Sequence, residues 1–283
     1  RYFQTAAYYQ HISRAAEELN ISQPALSTMI SRLEKELGVP LFDHNGRSII
    51  LNQNGQRFLQ RVNHILMEVE NSKRELQDIA DEGDNSISLA VSSSQFLQGM
   101  HAFMYQHPNY KWNQRVAENK EIAALLNRGQ IDLAVTSPGI YGEVFESTLL
   151  LRDIFKLAVH KDNPLAQRKS VRLEELTDQR FIMLLKGLPF RAQTDRIFAD
   201  LGITPHYIME CDHLLRRELI NANAGVTIAS QSASFRHLFS ENIRFLDIED
   251  VHHTRDIVMV HRKGRYLNRA SRQFADFLKQ KFS

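Results

Sequence analysis

From Ala25 the apolar side chains Ala25, Leu26, Met29, Ile30, Leu33 and Leu37 recur at steps of three and four, which lays one apolar stripe along a helix. Ser22 stands where an N-cap belongs, and Pro24 falls in the first turn, where a missing N–H costs nothing. Gly38 ends the run. Upstream, Tyr2–Tyr9 reads as a short apolar helix with Phe3, Ala6 and Ala7 on one side. Ser13, with Glu17 close behind, reads as the N-cap of a second helix through Leu19. Asn20-Ile21-Ser22 is then a tight connection, since Asn tolerates unusual backbone angles and Ile21 can plug the gap between two helices. Two short helices joined by such a turn make either a plain helical hairpin or a helix-turn-helix whose second helix can enter a DNA major groove.

The next segment bears on that choice. Asn45-Gly46 separates two short extended runs, one ending at Phe42 and the other being Ser48–Leu51, a strong hairpin signal. A hairpin directly after a candidate recognition helix is a wing, and Arg47 at its tip would reach phosphate or an adjacent minor groove. Asn52 then caps a long helix expected to run to about Asp81. Along it Phe58, Val62, Ile65, Val69, Ser72, Leu76 and Ile79 alternate steps of four and three, the spacing of a coiled-coil seam or of a helix packed on its own domain. Asp81 to Asn85 is too polar to pack and reads as a hinge.

Beyond the hinge, strand and helix patterns alternate as in a layered α/β protein. Expected strands cover Ile87–Val91, Lys111–Ala117, Ile131–Thr136, Ile154–His160, Phe181–Leu185, His206–Glu210, Val226–Ser230 and Asp256–His261. Expected helices hold Phe96 to Met104, Lys120–Asn127 (closed by Gly129), Ala192–Leu201, His213–Asn223 and Arg269–Lys281. Ser92, Ser93 and Ser94 stand where the first strand passes into a helix, so hydroxyls and free N–H groups converge, which suits a carboxylate or another small anion. The plain alternative is that these serines only cap their helix. Asn119 opens the next helix and Thr136-Ser137 ends the third strand. Leu188, Pro189, Phe190 and Arg191 lie between a strand and a helix start, with Arg191 either a partner for an anion or a surface charge.

Composition removes several function classes. The 283 residues give room for more than one core, and 43% hydrophobic with 24% charged residues is ordinary for a globular protein. No run of eighteen apolar residues is present, so no transmembrane helix is expected. The first residues lack a secretory layout, and the start at Arg1 reads as a few residues missing before it. Cys211 is the single cysteine, which allows no internal disulfide and forms no zinc cluster, so a cytoplasmic address is expected and no metal or cofactor. The formal charge of +2 announces no nucleic acid, and residues 1–57 carry Arg1, Arg14, Arg32, Lys35, Arg47 and Arg57 against Glu17, Glu18, Glu34, Glu36 and Asp43. DNA binding must therefore be argued from placement.

Placement is where a resemblance enters. The run SRAAEELNISQPALSTMISRLEKELGVPLFDHNGRSIILNQNGQRFL resembles the LysR-type helix-turn-helix, with Ser-Gln-Pro-Ala-Leu-Ser at 22–27, Leu-Glu-Lys-Glu-Leu-Gly at 33–38, Leu-Phe at 41–42 and Gly-Arg at 46–47 in register. Gly-Gln-Ile-Asp-Leu-Ala-Val at 129–135 matches a further recurrent stretch. The resemblance implies an α-helical winged helix-turn-helix domain at 1–57, a linker helix and hinge at 58–85, and an α/β effector domain at 86–283. That last part is periplasmic-binding-protein-like, with two subdomains, 86–159 with 258–283 and 160–257, and the ligand between them. It implies that Gln23, Pro24 and Ser27 face base edges or sugar while Ser22, Arg32 and Arg47 hold the DNA backbone. Gln23 has a physical reason to specify, since Gln serves an adenine edge bidentately. Where the family often carries an Arg-Gln pair this chain has Thr28-Met29, so Thr28 meets a thymine methyl at most and operator preference does not transfer. By family position Ser93, Ser94, Asn119, Thr136 and Phe190 border the effector, beside Ser92. The implied partners are double-stranded promoter DNA, a small-molecule effector and further copies of the chain as a dimer of dimers. RNA polymerase is a further candidate, and no membrane is expected.

Rival classes fare worse. The chain has no phosphate-binding Gly-rich loop, no Gly-x-Ser-x-Gly and no His-Glu-x-x-His, so an enzyme is not expected. His252-His253 in an extended run would point opposite ways. A redox switch on Cys211, as in peroxide-sensing members of the family, would need a resolving thiol. A purely architectural DNA binder has no need of residues 86–283.

Overall fold

A computed structural model describes residues 1–45, 48–80, 85–232 and 239–282. By its internal contacts the chain divides into two compact units, Arg1–Asp84 with Asn127–Gly129 and Gly264–Asn268, and Asn85–Leu126 with Gln130–Lys263 and Arg269–Ser283.

The first unit follows the expected order: α1 (Tyr2–Tyr9), α2 (Ile12–Glu18), α3 (Gln23–Leu37), β1 (Phe42–Asn45), β2 (Ser48–Leu51) and α4 (Gln53–Ile79). Ser22 Oγ accepts from Ala25 N at 3.3 Å, and Gly38 closes α3 with φ +72°. Asn20 takes φ +54°, the left-handed angle its short polar side chain tolerates. The cap of α2 differs from the expectation at Ser13. His11 Nδ1 accepts from Arg14 N at 3.5 Å, because the helix starts two residues earlier and draws Ser13 inside it. β1 and β2 pair antiparallel from Phe42↔Leu51 to Asn45↔Ser48, and Arg47 lies outside the described residues.

Phe3, Ala6, Ala15, Ala16, Leu26, Ile30, Leu41, Phe42 and Ile49 close one core, with Phe58 and Val62 packed against it. The Phe3 ring stands 5.1 Å from that of Phe58 and 5.5 Å from that of Phe42. Glu34 holds the wing to α3 by accepting from Leu41 N at 2.7 Å and Phe42 N at 3.2 Å. At Gly55 a Cβ would meet Leu41 O at 2.0 Å, so only glycine lets α4 pass this close to the strand entry. The seven-residue stripe of α4 is thus shared. Phe58 and Val62 serve their own core, whereas Ile65, Val69, Leu76 and Ile79 are 50–75% exposed.

The second unit carries an eight-stranded sheet in the order β4-β3-β5-β12-β6-β11-β7, with β10 also on β6. Its strands are β3 (Ser86–Val91), β4 (Lys111–Val116), β5 (Leu133–Thr136), β6 (Phe145–His160), β7 (Ser170–Val171), β10 (Thr227–Ser230), β11 (Ile243–Ile248) and β12 (Thr254–Arg262). β8 (Phe181–Leu184) and β9 (Tyr207–Cys211) form a parallel pair beside it. The helices are α5 (His101–Gln106), α6 (Asn119–Asn127), α7 (Pro189–Asp200), α8 (His213–Asn221) and α9 (Arg269–Phe282). β6 is the long member. Its first half pairs antiparallel with β12, and its second half with β10 and β11. One strand therefore threads both halves of the sheet, and β12 joins its first half to β5.

Two differences from the expected elements bear on the site. The helix expected over Phe96 to Met104 is broken: a 3-10 turn (Ser94–Leu97) is followed, after Gly99 at φ +79°, by the short α5. Lys281 at the end of α9 donates to Phe96 O and Gln98 O, satisfying carbonyls that a continuous helix would have used. The serines consequently have no full helix N-terminus behind them. Second, β6 starts nine residues before its expected Ile154, because Glu146, Ser147, Thr148 and Arg152 hide the strand pattern while hydrogen bonding follows the partner strand.

Candidate functional site

In the first unit α3 sorts its residues by face. Leu26 and Ile30 are buried. Ser22, Gln23, Pro24, Thr28 and Arg32 are exposed, and Ser27 is half-buried. The Thr28 hydroxyl donates to Pro24 O at 2.8 Å, one turn back, which leaves its methyl as the outward group. The residues expected to meet DNA, apart from Arg47, therefore share the first turns of one solvent-facing surface.

In the second unit three neighbouring cavities of about 170, 200 and 260 Å³ share one lining residue, Arg255 on β12. Ser92, Ser93, Ser94 and Phe190 line the 170 Å³ cavity, together with Gln95, Leu188, Pro189, Ser137 and His213. The connections that hold this wall are specific. Ser92 Oγ accepts from Ser137 N at 3.0 Å, tying the end of β3 to the end of β5, and Ser137 Oγ accepts from Arg255 Nε at 3.1 Å. Asn119 and Thr136 line none of the three cavities. Asn119 donates to Pro138 O at 2.8 Å, and Thr136 is fully buried. Arg191 is no ligand arm: it is buried, with Asp195 at 2.6 Å and Glu210 at 2.7 Å, where its guanidinium pins the start of α7 to β9.

Several groups that carry charge or an open hydrogen-bond position in this cleft went unnoticed in the sequence. Arg255 is 6% exposed, with its guanidinium carbon 4.8 Å from the Phe190 ring and 5.4 Å from the Phe96 ring. Burial draws its pKa down to about 10, against the opposing pull of Asp153, so it remains charged at neutral pH. Asp153 is itself buried and accepts from Ile154 N and Ser232 N, each at 3.0 Å. Arg216 on α8 is 7% exposed, 5.5 Å from the Phe190 ring, and also drawn down to about 10 by burial. His213 is brought down to about 4, first by burial and then by Arg216 and Arg255, and so is neutral at pH 7. Gln193 Oε1, His213 Nδ1 and Arg216 Nε are buried without a hydrogen-bond partner. The signal available in the sequence was register: His213, Arg216 and Ile220 fall at steps of three and four, which places an arginine on the inward stripe of α8. Cys211 is buried, its thiol 3.8 Å from Met183 O and pushed up by burial.

Comparison with known proteins decides the family. A model described as the LysR substrate binding domain matches residues 81–283, and one for the bacterial regulatory helix-turn-helix proteins of the lysR family matches residues 1–56. The chain belongs to the LysR family. It is a LysR-type transcriptional regulator, with an N-terminal helix-turn-helix domain and an effector-binding domain of mixed α/β structure. Among its relatives, the HTH-type transcriptional regulator YybE of Bacillus subtilis is 31% identical, over 100% of this chain and 97% of that protein. A full-length OxyR variant from Pseudomonas aeruginosa superposes with a TM-score of 0.65 at 19% identity, covering 99% of this chain and 92% of that one. Full-length CbnR in complex with its target DNA gives a TM-score of 0.58 at 21% identity, covering 100% and 98%. For this LysR-type regulator those two structures establish the fold, and the chemistry rests on its own residues.

Proposed function

We propose that this regulator binds promoter DNA through the exposed face of α3 and the wing, and that a small molecule seated around Arg255 changes that binding. The carrying observation is the cleft. A cavity system walled by two buried arginines, with open hydrogen-bond positions on Gln193, His213 and Arg216, fits a polar small molecule that completes those bonds. Residues 1–57 are the DNA-reading part, 58–85 the linker and hinge, and 86–283 the sensor. In the reading part Gln23, Pro24, Ser27 and Thr28 meet bases or sugar, and Ser22, Arg32 and Arg47 meet the backbone. In the sensor Phe190 borders the ligand directly, Ser92, Ser93 and Ser94 line the adjoining part of the same cleft, and Asn119 and Thr136 support that wall from behind.

Ile65, Val69, Leu76 and Ile79 form the seam of a dimer through α4, so that each dimer presents two reading heads to the DNA and paired dimers four. The described helices include none long and apolar enough to cross a membrane, and a cytoplasmic site of action suits a DNA-binding regulator. A thiol switch is the weaker reading, because Cys211 is buried, its thiolate is disfavoured, and the sequence offers no second cysteine to resolve it.

Selection of the full-length protein against random-sequence duplexes tests the DNA half. Enrichment of an imperfect palindrome with half-sites about one helical turn apart is the expected result. Retention of duplexes without sequence preference would overturn it.

A further inference from the structure

The serines after β3 are the obvious anion candidates, yet only a four-residue 3-10 turn stands behind them. The stronger anchor lies on α8, in the adjoining cavity. Arg216 is more than nine-tenths buried, and its Nη1 donates to Ile228 O at a long 3.3 Å. Its Nε is buried with no partner, and among the described residues Arg216 has no ion pair. Taking a guanidinium out of water is costly unless a counter-charge and hydrogen bonds replace the lost hydration. Arg255, its neighbour in the cavity wall, sits beside Asp153, whereas the acidic group that acts on Arg216 is the Cys211 thiol, which burial keeps protonated. Among the described residues, two buried cations, Arg216 and Arg255, thus stand against one buried carboxylate, Asp153, one negative charge short of balance.

The 200 Å³ cavity places that missing charge. Gln95, Gln98 and Ser230 supply polar groups, His213 and Arg216 the open positions, and Phe190 and Leu214 an apolar wall. We propose that this cavity binds a small carboxylate whose oxygens engage the Arg216 guanidinium while its carbon body lies against Phe190 and Leu214. The planar fork of arginine matches a carboxylate with two parallel hydrogen bonds, which a lone ammonium would not do. Neutral His213 supplies a hydrogen bond and no charge, so one carboxylate suffices to balance the site. This rests on the effector reading above and adds the ligand class and its anchor.

The test uses the full-length protein at constant ionic strength, with calorimetric titration and thermal melting. The probes are propanoate, succinate, benzoate and phenylacetate, each set against its uncharged amide, with sulfate as an inorganic control. At least one acid is expected to bind the wild type at least about tenfold more tightly than its amide, and Arg216→Met to remove at least that factor for the acid alone. Without ligand, Arg216→Met is expected to melt no lower than the wild type, since it removes an unbalanced buried charge and keeps the apolar stem. Equal binding of acid and amide would overturn the carboxylate assignment and leave the effector reading standing. So would an acid that binds Arg216→Met undiminished, sulfate binding without any carboxylate, or a ligand-free Arg216→Met that melts well below the wild type. Failure of both series to bind would overturn the assignment together with the effector reading at this cleft.

Discussion

Helices α3 and α8 are built to opposite plans. Each starts from a short polar cap: Ser22 accepts from Ala25 N, and Asp212 accepts from Leu214 N and Leu215 N at 2.8 and 2.9 Å. From there α3 turns Leu26 and Ile30 inward and shows Gln23, Thr28 and Arg32 to solvent. In α8 Arg216 and Ile220 are buried, while Leu214 is 57% and Leu215 38% exposed. A helix that reads DNA must offer its polar groups to a ligand far larger than itself, so its stability comes from an ordinary apolar stripe. A helix that lines a small-molecule cleft brings its charge inside and gives up packing to do so. The first arrangement is cheap to fold; the second is stable only to the extent that something balances the buried cation.

The contrast can be broken from either side, and the largest effect belongs to α3. Leu26 is fully buried in the helix-turn-helix core, so Leu26→Ala is expected to cost about 2–5 kcal/mol, read by denaturant unfolding of that unit. A loss below about 1 kcal/mol would mean that the apolar stripe does not carry the helix.

The cleft gives the next effect, and it depends on pH. His213 has a folded pKa of about 4 against an ordinary 6.5, held down by burial, Arg216 and Arg255, with Asp212 pulling the other way. Between these two values the unfolded chain holds a proton that the folded chain does not, so stability rises with pH through that window and falls as acid is added. The full span is about 3 kcal/mol, and His213→Gln is expected to flatten it in melts between pH 4 and 6.5. A carboxylate bound on Arg216 would weaken the same dependence by raising the histidine's pKa. An unchanged pH profile in His213→Gln would show that the cleft is open to water.

Smaller effects separate recognition from stability on α3. Gln23→Ala is expected to cost about 1–3 kcal/mol of discrimination at one base pair, with melting unchanged, measured by competition binding against single-base operator variants. Ser22→Ala should do the reverse, destabilising the first unit by about 1 kcal/mol through the lost cap while leaving the ranking of DNA sequences intact. If Gln23→Ala weakened all sequences equally, its side chain would be a backbone contact and base reading would pass to Ser27 and Thr28.

The reading head was legible in the sequence almost to the residue, because local rules build it. Ser22, Gly38 and Asn52 stand where helix ends need them, and the three-four spacing of α3 is its burial pattern. What failed there was local competition, with His11 taking the cap expected at Ser13. The sensor was legible as alternating strands and helices, but only part of the lining of its cavities was. Ser92, Ser93, Ser94 and Phe190 could be placed by their strand and helix ends. Arg216 shares the inward register of Ile220 on α8, whereas Arg255 carries no local mark, since an arginine in a strand shows which way it points only once long-range pairing decides.

Sequence alone thus determined the helix-turn-helix, the wing hairpin, the linker helix and the α/β class, all of which follow from spacing, caps and turns within a few residues. Tertiary structure decided the rest. It split the linker stripe between the core and an exposed seam, broke the helix after Ser94 at Gly99, and brought α8 and β12 together across the sequence so that two arginines meet over one phenylalanine ring. The meeting of the two arginines depends on strand pairings such as β6 with β12, whose partners lie about a hundred residues apart, and no local propensity encodes a contact at that range.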